Sequence, residues 1–196
     1  MVEFQSIKLP PPRLTLQSKK AFFNQNSEKR FKNRISKHKN ETPNTTNMPR
    51  DIITPEDEKQ IVAAIEEAER NTSGEIRVHI ENTCKGEVLD RAAQVFAELQ
   101  MHKTQLRNGV LFYVALKSHQ FAVLGDAGIN AVVPKDFWLE IKEHVIAQFK
   151  NGNYAEGLRE GVLMAGQQLK SHFPYDQKGD TNELRNDISF GGEGKA

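Results

Sequence analysis

Asp126, Asn130 and Asp136 lie in one short stretch that follows an apolar run, and each offers a side-chain oxygen. Carboxylates and amide oxygens, joined by a backbone carbonyl, are the ligands that Ca2+ or Mg2+ prefers, so the stretch is a candidate hard-cation site. Glu75 and the carbonyl of Asn108 join the same candidate set because of the topology expected below. A plainer role competes for each: Asp126 caps a turn, Asp136 sits in the first turn of a helix, and Glu75 is solvated.

Motifs of known catalytic chemistry are sparse. Cys84 and Arg91 are similar to a Cys-(x)5-Arg phosphate cradle, but six residues intervene and Asp90 stands where the arginine is needed. A cradle must converge its amides and guanidinium on one phosphate, which a one-residue slip prevents. Gly125-Asp126 is similar to the first motif of two-metal phosphoesterases, yet no Gly-Asn-His-Asp/Glu follows it. An Asp-x-Asp nucleophile pair, a Walker loop and a Gly-x-Ser-x-Gly elbow are missing too. His79, on the polar side of a strand, is expected to pack beneath a helix, and His102 and Lys103 fall in a loop where they could meet an anion.

The elements that position these residues follow from periodicity. Thr54-Pro55-Glu56-Asp57 is a helix start, with Thr54 as cap and Pro55 in the first turn. Glu75 to Glu81 alternates with Ile76, Val78 and Ile80 on one face, which reads as a strand with one polar side. Val88 to about Met101 keeps helical spacing, and Asn108 to Leu116 followed by Phe121 to Ile129 reads as a buried antiparallel hairpin. Strand, helix, strand makes a right-handed crossover, so the hairpin's second strand runs antiparallel to the first two. Its end at Asp126 then lies near their beginnings, and Glu75, the loop 102–108 and the loop 126–136 share one edge. A third helix is expected near Pro134 and a fourth from Tyr154, where Gly157, Gly161 and Ala165 suit close packing onto the sheet.

Charge divides the chain. Residues 1–50 carry 11 Lys and Arg against 3 Asp and Glu, while the remainder is net −7. The basic leader is short of aliphatic residues and is expected to be disordered, either as an arm for nucleic acid, an acidic surface or organelle import, or as an extension ahead of a start at Met48. The expected organisation is therefore a leader over 1–50, one domain over 51–174, and a polar tail over 175–196 anchored by Ile188 and Phe190. The acidic domain is not expected to bind nucleic acid, whereas a protein partner stays open. No apolar run spans a membrane, and the single Cys84 suits a reducing, cytoplasmic setting.

The succession Ser73-Gly74-Glu75-Ile76-Arg77-Val78, Ala92-(x)3-Phe96, Arg107-Asn108-Gly109-Val110-Leu111, Gly125-(x)2-Gly128-Ile129 and Phe149-(x)2-Gly152-(x)-Tyr154-(x)2-Gly157, then Gly161, resembles the TPM domain family, also called the TPM phosphatase family. The resemblance covers about residues 54 to 172 and is nearest to stand-alone bacterial members. It implies an α/β fold, a three-layer α/β/α sandwich around a small mixed sheet. It also implies acid phosphatase activity of the kind attributed to plant members. Three readings stay open: a regulatory module that binds a divalent metal, a phosphatase, and a protein-interaction module.

Overall fold

The computed structural model describes residues 5–8, 52–134, 136–175 and 182–191. Five strands form one mixed sheet: β1 (Gln5–Lys8), β2 (Glu75–Glu81), β3 (Gly109–Ala115), β4 (Gln120–Gly125) and β5 (Ser189–Phe190), in the spatial order β1-β4-β3-β2-β5. β2 and β3 are parallel, and β3 and β4 form the antiparallel hairpin. The expected crossover is present.

Among the described residues the α-helices are α1 (Pro55–Glu69), α2 (Val88–Glu98), the single-turn α3 (Ala127–Asn130), α4 (Phe137–Lys150) and α5 (Tyr154–His172). At the start of α1, Thr54 and Asp57 form a reciprocal capping box with Pro55 in the first turn, which satisfies orphan backbone donors. The third helix, expected near Pro134, is α4 from Phe137; the loop before it holds the additional single turn α3 after Asp126.

Strand alternation divides the core into two layers. Ile76, Val78, Ile80, Val110, Phe112 and Val114 face α1, α4 and α5, whereas Leu111, Tyr113, Ala122 and Leu124 face α2. The result is the expected three-layer α/β/α sandwich. Gly161 is needed where α5 crosses the sheet, because a Cβ there would stand 2.6 Å from Val145 on α4 and 3.0 Å from Phe112 on β3. No helix among the described residues is long and apolar enough to cross a membrane.

The N-terminal segment differs from expectation, and the tail adds a short strand to the anchors expected of it. Gln5–Lys8, in the leader read as disordered, pairs antiparallel with β4. Backbone hydrogen bonding to an open edge does not depend on the aliphatic content by which the leader was judged. The rest of the leader lies outside the described residues. At the other end, the tail from Asn182 to Gly191 lies along β2 and ends in the two-residue strand β5. Ile188 and Phe190 anchor it in the α1/α4/α5 layer, as their apolar character implied.

A candidate cation site at the sheet edge

The starts of β2 and β3 and the end of β4 share one edge, in the register Glu75↔Gly109 and Val110↔Gly125. The five residues anticipated for a cation are distributed unevenly along it. Asp126 is buried and caps α3, accepting from the Ala127 amide, and it holds Arg107 in a two-pronged ion pair at 2.7 and 2.8 Å. Arg107 has a left-handed backbone (φ 52°), which turns its carbonyl onto the amides of Gly128 and Ile129. Gly128 must be glycine because a Cβ would sit 2.2 Å from the Leu106 carbonyl. Asn130 is engaged at both ends, donating to the Gly125 carbonyl and accepting from Trp138 Nε1 at 2.7 Å. Asp136 is exposed at the start of α4 and makes no side-chain cap bond.

Glu75 is buried, contrary to the solvated role weighed for it, because the tail covers it. Its carboxylate accepts from the amides of Glu183 (2.9 Å) and Leu184 (3.2 Å). The Asn182 amide, with its NH2 toward the carboxylate, donates to Glu75 Oε2 at 3.1 Å. The Met101–Thr104 turn passes over Gly109 between Glu75 and Asp126, its Met101 carbonyl 3.3 Å from where a Gly109 Cβ would stand. The edge therefore holds two separate acidic centres. Asn108 is fully buried behind it; its Nδ2 donates to the Ser73 carbonyl at 3.0 Å, while among the described residues its Oδ1 and Ser73 Oγ have no hydrogen-bond partner.

Glu69, Glu66 and the tail complete the Glu75 centre, and residue spacing had not singled them out. Glu69 ends α1, where its Oε1 accepts from the Ile76 amide at 2.7 Å. With Glu75, Arg70, Asn182 and Asn186 it lines an open cavity of about 200 Å3 that also touches Glu66. Burial, with the charge of Glu75 adding to it, pushes the Glu69 carboxyl up to about 8, against the opposing bond from Ile76. Two carboxylates that share a partly desolvated cavity resist joint ionisation unless enough positive charge stands beside them. Among the described residues no three His, Cys, Asp or Glu side chains are grouped for a metal. A cation here would be held by two carboxylates, hard oxygen donors of the kind Ca2+ or Mg2+ prefers.

A second polar cluster closes the opposite edge. Burial raises the Glu81 carboxyl, but His79, Arg91 and Tyr113 together outweigh it and hold the group down at about 2. Arg91 grips both Glu81 oxygens at 3.1 Å, so it is committed there and is not turned to a phosphate beside Cys84. The Tyr113 hydroxyl donates to Glu81; burial first, then that bond, push its own pKa up. His79 is buried as expected but lies under the tail rather than a helix, stacked on Tyr113 with Nδ1 3.0 Å from Ser189 Oγ.

The order of elements and the placement of the Gly125-(x)2-Gly128 turn define an α/β/α domain. The family model described as TPM domain matches residues 46–168, and the chain belongs to that family. Among solved structures it is similar to the NMR structure of the BA42 protein from the psychrophilic bacterium Bizionia argentinensis, with 50% identity and a TM-score of 0.67 over 71% of this chain and 95% of that one. No curated protein matches.

Proposed function

We propose that this TPM domain is a binding module regulated by a divalent cation, Ca2+ or Mg2+, taken between the carboxylates of Glu69 and Glu75 beneath the tail at Asn182 and Asn186. The observation that carries the reading is the shared cavity of Glu69 and Glu75, in which one carboxyl stays protonated near neutrality. The cation would neutralise the second charge and draw the tail and the end of α1 onto one ligand. Binding is preferred to phosphomonoester hydrolysis because Arg91, the arginine that follows the lone cysteine, is bound to Glu81. The Asp126 centre is the lesser candidate, since Arg107 already supplies its countercharge. The single cysteine fits a cytoplasmic setting.

Calorimetry on metal-stripped protein tests the reading. Because Glu69 binds a proton up to about pH 8, cation binding should release it, and affinity should rise from pH 6 to pH 8. The released proton appears as a dependence of the heat on buffer ionisation enthalpy. Glu69→Gln should abolish that dependence and weaken binding about tenfold or more, which corresponds to about 1.4 kcal/mol. Asp126→Asn should leave affinity nearly unchanged. A loss confined to Asp126→Asn would move the cation to the 126 loop, and the absence of heat in every variant would refute the reading.

A further inference from the structure

The tail's path along β2 has the form of a bound peptide. Asp187 reaches the buried guanidinium of Arg77, with Nη1 2.9 Å from Oδ1. Ile188 is buried in the α1/α4/α5 layer, Ser189 meets His79 on the opposite face, and Phe190 returns to the layer Ile188 occupies. Alternate side chains thus enter opposite faces of the sheet, while the backbone adds a parallel strand in the register His79↔Ser189 and Ile80↔Phe190, and the Gly191 amide donates to the Ile80 carbonyl at 2.9 Å. Strand addition with side-chain pockets at every second position is how sheet edges recognise extended peptides. The docked residues lie beyond the 46–168 match that defines the family domain.

We infer that the outer edge of β2 is a peptide-recognition groove for an extended partner segment of the pattern acidic, aliphatic, hydroxyl, aromatic, and that Asp187-Ile188-Ser189-Phe190 occupies it as a resident competitor. Arg77 reads the acid. Its buried side chain is 7% exposed, so an acid-free peptide would leave a guanidinium desolvated and unpaired. Only two residues of the tail enter the ladder, so the tail holds the edge chiefly through tethering, which gives it a high effective concentration. A partner segment competes once the tail is released.

The test uses the full chain in EDTA, which keeps it independent of any cation. A fluorescent peptide of the sequence of residues 183–191 is titrated against wild type and against the tail-released variant Asp187→Ala/Ser189→Pro, and anisotropy is read. The released variant should bind the peptide at least tenfold more tightly than wild type. Adding Arg77→Ala to it, or replacing the peptide's aspartate by alanine, should each cost about tenfold. Should the double variant melt early, Asp187→Ala alone gives the same ordering with a smaller gain. Equal affinity for wild type and released variant, or indifference to Arg77, overturns the inference. So does a released variant that dimerises and excludes the peptide, since the occupant would then be a second copy.

Discussion

Two carboxyls with opposite perturbations give the residue scale its clearest consequences. Glu69 is raised to about 8, so in the metal-free protein its contribution to stability is fully present below its unfolded value near 4.5 and is lost as pH rises through about 8. Glu81, held at about 2, behaves inversely: its contribution is present above the unfolded value near 4.5 and lost as pH falls through about 2. Melting temperatures recorded from pH 5 to 9 should therefore fall for wild type and flatten for Glu69→Gln. A wild type whose melting temperature does not fall over that range would remove the half-buried protonated carboxyl from the account. Glu75 was visible in the sequence as an acid at the start of an alternating strand, but its burial was not, since it depends on tail residues more than a hundred positions away. Glu69 gave no signal: it is one of several acids in α1, and only the Ile76 amide and the tail distinguish it.

At the scale of elements, the central strand carries the fold. Val114 lies on β3 between β2 and β4 and is 1% exposed, with its side chain in the α1/α4/α5 layer. Val114→Asp would bury a carboxylate without a partner and should cost several kcal/mol, on the order of the usual penalty for a buried charge. Denaturant unfolding checks this; a variant as stable as wild type would mean that β3 is not buried on both faces. The long elements were legible because apolar spacing and the Thr54-Pro55 cap are local signals. β1 and β5 were not, because strands of four and two residues arise from pairing to an edge already formed, and no local pattern announces them. α3 was missed for a related reason: a single turn is set by the Asp126 cap and by the contact of Gly128 with the Arg107 loop.

For the whole molecule, a sheet whose two edges are covered by the chain's own ends is the organising feature. β1 covers β4 and the tail covers β2, and both covers lie outside the family-matched residues. A chain beginning at Met48 should therefore stay folded and lose only the β1 contribution, with a fall in melting temperature of a few degrees at most and faster amide exchange at Gln120–Val123. Loss of cooperative unfolding would show that the leader is integral to the domain. The central claim, a cation taken between Glu69 and Glu75, is most directly tested by titrating Ca2+ into metal-stripped, isotope-labelled protein and following its backbone amides. The amide of Ile76, bonded to Glu69, and those of Glu183 and Leu184, bonded to Glu75, should shift most and saturate together. Shifts confined to Asp126, Ala127 and Gly128, or no saturable shift anywhere, would contradict it.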